Sequence, residues 1–175
     1  MAIIDKQDIA IALSEKVAMV ISYMENLGDN EFVLSKNEKW SAGQTLDHLI
    51  KAVQPLQPAF SLPKFLLRIL FGKANRPSRN YDELVEKYKM KIAAGGKAKG
   101  RFIPTSIDAS SKDGLIKKYG DQIANLVRKI GRQSENELDN YILPHPLLGK
   151  ITLREMLFFT IYHNEHHLDA LKRNA

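Results

Sequence analysis

Tyr162-His163-Asn164-Glu165-His166-His167-Leu168 holds three of the five histidines of a 175-residue chain, and the architecture is first legible in it. The spacing predicts a place on the last helix, where side chains four apart stack on one face, so that His163 and His167 aim both imidazoles at a single object. A metal ion is such an object. Two ring nitrogens on one helix and a third ligand from another make a three-point clamp that leaves coordination positions free for water or substrate. His48 is the third candidate.

At about 100° per residue, His163 falls close to Met156 and Ala170, and His167 close to Met156 and Thr160, on the apolar side of that helix. Both are expected to face inward. His166 lies roughly 100° from His167, beside the polar sector of Tyr162, Glu165, Asp169 and Arg173, and is read as a rim group rather than a ligand. One inward histidine alone is most simply a neutral core residue bonded to a carbonyl. The pair together with His48 favours a metal, because adjacent buried imidazoles need compensating partners that one ion supplies at once. His48 shares a face with Thr45, Leu49, Ala52 and Leu56, but the stripe Leu46-Leu49-Ile50-Val53 would turn it toward solvent, so periodicity leaves its direction open.

The rest of the chain reads as mostly helical. A first helix runs from about Lys6 to Asn26, with Ile9, Leu13, Lys16/Val17, Val20 and Met24 along one side. A second starts at the Ser41/Gln44 capping box and is stopped or kinked by Pro55 and Pro58. The segment from Phe60 to Phe102 is the least readable, with an apolar piece at Leu62–Phe71, a charged helical piece at Tyr81–Ala94 and a glycine-rich loop at Gly95–Gly100. A long helix follows from about Lys112 to Arg132, marked by Ile116, Tyr119, Ile123, Leu126, Val127 and Ile130. The last helix begins at Thr152, whose partner Glu155 completes another capping box. No internal repeat or domain boundary is visible, and one domain over residues 1–175 is expected. Four main helices with a variable middle segment predict an all-α four-helix bundle, a usual place for sites built from facing helices.

Composition narrows the chemistry. With no cysteine there is no disulfide, thiolate ligand or cysteine nucleophile. A cytoplasmic setting fits, and Met1-Ala2-Ile3-Ile4-Asp5-Lys6 lacks the basic and long apolar regions of an export signal. The longest apolar run, Ala59–Phe71, is broken by Pro63, Lys64 and Arg68 and falls short of the roughly 20 residues that span a bilayer, so no membrane association is expected. A net charge of +6 and the group Lys73, Arg76, Arg79, Lys97, Lys99 and Arg101 read as a solvated basic face. No aromatics are interleaved for base stacking, and no nucleic-acid partner is expected. The apolar groups of Phe60–Phe71 exceed what a loop needs, so they are expected to pack over the bundle or to form a two-fold homodimer contact. His145, before Pro146, reads as a packed turn residue, with a ring capping the site mouth as the alternative. Trp40 reads as the hydrophobic anchor of the second helix, while Asp47 and Glu165 are expected to be solvated, Asp47 with a lesser role behind the ligands.

Trp40-Ser41-Ala42-Gly43-Gln44-Thr45-Leu46-Asp47-His48-Leu49 resembles the W-S-x-x-Q-x-L-x-H-L stretch of the DinB-like (DinB/YfiT-like) superfamily of metalloenzymes. His163–Leu168 is similar to that family's closing H-x-x-H-H-L element, and His145–Thr152 to the H-P-x-x-G-x-x-T turn of an uncharacterised branch. The resemblance covers both ends of the bundle, while Phe60–Phe102 matches nothing familiar. It implies a four-helix bundle that often dimerises, with His48, His163 and His167 at the three metal-ligand positions. Members with known roles include bacillithiol and mycothiol S-transferases and a thiol-dependent maleylpyruvate isomerase. The chain departs from the branch at Asp169 and Ala170, where a basic residue and glutamine commonly sit, which leaves the inherited substrate open.

Three neutral imidazoles suit a divalent transition metal, Zn²⁺ or Ni²⁺ first, and also Fe²⁺ or Cu²⁺. The leading expectation is therefore transfer of a low-molecular-weight thiol cosubstrate to a small electrophilic substrate, with metal-dependent hydrolysis as its nearest variant. A non-catalytic metal-binding or stress-response bundle is the competing class, and the fold does not choose between them.

Overall fold

The computed structural model describes residues 5–36 and 39–174; the Met1–Ile4 stretch read above for an export signal lies outside them. Helix α1 (Lys6–Glu25) starts at Asp5, whose carboxylate caps the amides of Gln7 and Asp8, and buries the five apolar residues of its expected stripe. A short α2 (Asp29–Val33) then drops Phe32 into the core. Helix α3 (Ala42–Val53) begins at the Ser41/Gln44 box, with both reciprocal bonds made. Gly43 in its first turn has no side chain because Phe32 and Ile107 close over it: a Cβ there would lie 2.8 Å from the Phe32 ring and 2.9 Å from Ile107.

Helix α3 ends before Pro55, which starts α4 (Leu56–Ala59, with Pro58 inside it), and α5 (Lys64–Phe71) and α6 (Tyr81–Ala93) follow. Helices α7 (Lys112–Gly131) and α8 (Glu135–Asn140) lead to a hairpin, β1 (Ile142–His145) and β2 (Gly149–Thr152), before α9 (Leu153–Asn174). In the bundle α1 packs on α7 and α9, and α3 packs on the same two, while α6 lies along α9. Among the described residues no helix is long and apolar enough to cross a membrane.

The bundle is the expected all-α four-helix type, and among the described residues the one element of strand that the helical reading did not include is the short antiparallel hairpin. It pairs Ile142 with Thr152 and His145 with Gly149, and Gly149 closes the turn at a φ of +75° that favours glycine. Four-residue strands containing Pro144, whose nitrogen cannot donate, are too short and irregular to show a period of two. The first half of α9 is buried on nearly every side, because hairpin, bundle and α6 surround it.

The apolar piece at Leu62–Phe71 also departs from one expectation. Leu67 is buried, but Phe65, Ile69 and Leu70 are 62%, 73% and 60% exposed, so these three do not pack over the bundle. Of the basic group, Arg76 and Arg79 turn inward to the buried Glu155 carboxylate instead of forming a solvated face.

Candidate metal centre

Helix α9 presents His163 and His167 one turn apart, and α3 brings His48 across to meet them. Nε2 of His163 lies 3.1 Å from Nε2 of His48 and 3.0 Å from Nε2 of His167. One ligand atom from each lies within 4.8 Å of the others, the single such group of histidine or acidic side chains among the described residues. These three imidazole nitrogens are a donor set that Zn²⁺ and other divalent transition metals take.

Proton counting favours a cation at the same point. The Nδ1–H of His48 donates to the Phe102 carbonyl at 2.7 Å, which fixes the tautomer and leaves Nε2 as a lone pair. A proton on Nε2 of His163 makes at most one well-directed bond, to His48 or to His167. Lone pairs are thus left converging, an arrangement that a metal satisfies. Burial is also the largest influence on each ring. It holds His48 below the ordinary imidazole range and, reinforced by the neighbouring histidines, holds His163 and His167 well below it. All three are in the neutral form that ligates at neutral pH.

The residues around the cluster set its shape. Phe159 stacks on His163, with ring centroids 4.7 Å apart. Trp40, expected only as a hydrophobic anchor, stands 4.9 Å from the His48 ring and 6.3 Å from His167, which it parallels. Asp47 corrects another expectation: it is buried and accepts bonds from the Thr105 amide at 2.9 Å and from Lys51 at 2.7 Å. Burial pushes its carboxyl up, but these bonds outweigh burial and hold it below the usual range. Glu165 is half-buried and pairs with Lys16 on α1. The i, i+4 spacing of Asp47 and Lys51 was the available signal for the first pair. Nothing local announces Phe102, which contributes a backbone carbonyl.

His145 ends β1 and is buried against Phe159, with centroids 4.2 Å apart. Its Nδ1 accepts the amides of Leu147 and Leu148 at 3.1 Å each, so the neutral ring carries its proton on Nε2. Burial pushes its pKa down to about 4. His166 is half-buried, its centroid 5.1 Å from that of His167. All five histidines of the chain line one cavity of about 670 Å³, together with Trp40, Tyr88, Ile92, Phe159 and Leu171. That volume is in the range of small-molecule sites.

A family model described as the DinB superfamily matches residues 12–171. The chain belongs to the DinB superfamily. The fold of this DinB-superfamily chain is also that of a solved four-helix bundle, YfiT from Bacillus subtilis, with a TM-score of 0.62 and 18% identity over 96% of this chain and 84% of that one. YfiT is described as a probable metal-dependent hydrolase with an unusual four-helix bundle topology. Comparison with curated proteins finds no match.

Proposed function

We propose that this DinB-superfamily protein is a metal-dependent enzyme acting on a small molecule, with His48, His163 and His167 holding Zn²⁺ or Ni²⁺ in preference to Fe²⁺ or Cu²⁺. The observation that carries it is the meeting of three neutral imidazole nitrogens on the wall of a cavity of about 670 Å³. An ion held there would supply Lewis acidity, favouring the deprotonated form of a thiol or a water at neutral pH. The chain does the positioning. The Phe102 carbonyl orients His48, and the Phe159 ring supports His163.

The leading reaction is transfer of a low-molecular-weight thiol to an electrophilic carbon, with room beside the histidines for a second reactant. Hydrolysis is the second reading, favoured by the likeness to YfiT. A cytoplasmic setting, no nucleic-acid partner and a homodimer complete the proposal.

Metal content of the purified protein, followed by a rate assay, tests it. Bacillithiol, mycothiol and glutathione are each offered with an aromatic electrophile to metal-loaded wild type and His163→Ala. A metal-to-chain ratio near unity and a rate at least about tenfold above the variant are expected. Substoichiometric metal overturns the reading. Bound metal with no excess rate for any thiol removes the transferase and leaves hydrolysis or a non-catalytic bundle.

A further inference from the structure

Among the described residues, the cavity beside the histidines is lined by the cations Lys39, Lys97, Lys99 and Arg101 and by no aspartate or glutamate. Lys97, Lys99 and Arg101 lie on the connection between α6 and α7, where they are exposed and so stand at the cavity mouth. The guanidinium of Arg101 sits over the Phe102 ring, 5.1 Å from its centroid.

The backbone that follows these cations is fastened to one face of α3. The Phe102 carbonyl accepts from Nδ1 of His48 at 2.7 Å, and the Ile103 carbonyl accepts from Nζ of Lys51 at 3.0 Å. The Thr105 amide donates to Asp47 at 2.9 Å. Residues 47 and 48 each lie one turn from residue 51, so three bonds hold the strap along one stretch of α3. Its position over the cavity is built, and the cations are carried with it. Apolar groups, Trp40, Ile92 and Phe159 among them, form the remaining wall.

We propose that the strap is the anion-recognition element of this pocket, and that the substrate is an amphipathic organic anion. Its apolar body lies against Trp40, Ile92 and Phe159, and its carboxylate, sulfonate or phosphate faces Lys97, Lys99 and Arg101. The inference rests on the reading of this cavity as the substrate site. Cations of one sign around a low-dielectric cleft focus the field and raise the local concentration of an anion. Exposed ion pairs are individually weak, so three together give about tenfold in affinity.

The test uses the full chain, free of metal, and two fluorescent probes with the same ring system. One is 8-anilinonaphthalene-1-sulfonate, the other its neutral counterpart N-phenyl-1-naphthylamine. The sulfonate is expected to bind about tenfold more tightly at low salt, and the preference to shrink as rising salt shortens the screening length below about 10 Å. In Lys97→Glu/Lys99→Glu/Arg101→Glu the preference should vanish while the neutral probe keeps its affinity. In Phe65→Ser/Ile69→Ser, which removes two of the three exposed apolar groups of α5, the preference should persist. Equal binding of the two probes, or a preference indifferent to both salt and charge reversal, overturns the proposal. So does displacement of the sulfonate by a single-stranded oligonucleotide, which would make the basic strap a nucleic-acid surface. The salt series needs no variant to fold. Zn²⁺ binding without anion preference defeats the strap alone, whereas anion preference without Zn²⁺ binding defeats the metal reading alone.

Discussion

His163 occupies the middle of the cluster, within 3.1 Å of both other ring nitrogens, so its loss should disable the site as fully as any. Alanine at His48, His163 or His167 is expected to weaken Zn²⁺ or Ni²⁺ binding by more than about 100-fold, the upper range for lost supporting groups, and His166→Ala by less than about tenfold. Calorimetric titration decides it, and equal losses at His166 and His163 would contradict the assignment. Because burial holds the three imidazoles below the ordinary imidazole value of about 6.5, affinity should persist through that pH and fall only beneath it, as protons take the lone pairs. His145 gives a separate pH effect. Above pH 6.5 it is neutral folded or unfolded; between 6.5 and about 4 only the unfolded chain takes up the proton. Stability is therefore lost as pH falls through that window, by about 3 kcal/mol from this ring. Urea unfolding at pH 7 and 4.5 should show a smaller loss for His145→Gln than for wild type, and identical losses would refute the assignment.

Glu155 illustrates how one capping residue can organise more than its own helix. It closes the box at the start of α9, receiving the Thr152 amide at 2.9 Å, yet it is fully buried. Arg76 grips both its oxygens at 2.8 and 2.9 Å, and Arg79 adds a backbone and a side-chain bond. Burial pushes the carboxyl up, but the bonds outweigh it and hold it below the usual range. The same side chain thus starts the helix that carries His163 and His167 and ties down the segment preceding α6. Glu155→Ala leaves two guanidiniums without their partner and should cost about 3–5 kcal/mol in chemical denaturation. Glu155→Gln keeps an acceptor and should cost clearly less. A loss under about 1 kcal/mol for the alanine variant would show that the arginines find other partners.

The assembled molecule leaves Phe65, Ile69 and Leu70 on the outer side of α5, more than half exposed. Burying them between two copies removes this apolar surface from water, which is the basis for expecting a two-fold dimer. Light scattering over a concentration series should report twice the 19.8 kDa chain mass, and Phe65→Glu/Ile69→Glu should report one. A monomer at every concentration in the wild type would remove the dimer from the proposed function.

Local physics made much of this architecture readable. Helical period and reciprocal capping are set by residues three or four apart, so α1, α3, α7 and α9 could be placed from sequence, with Ile9 through Met24 on the buried side of α1. The same local geometry put His163 and His167 on one face and His166 off it. The direction of His48 had no local solution, because two apolar stripes on α3 competed. Packing of α3 on α7 and α9 resolved it, together with the Phe102 carbonyl, an acceptor that any residue at that position would provide. The hairpin, the approach of Trp40 and the burial of Asp47 under residue 105 depend likewise on contacts distant in sequence. The sequence by itself determined the four long helices α1, α3, α7 and α9 and put His163 and His167 on one face of the last, because period and capping are local. Tertiary structure alone decided that five histidines and a basic strap share one cavity, because contacts between residues far apart in the chain leave no period in the sequence.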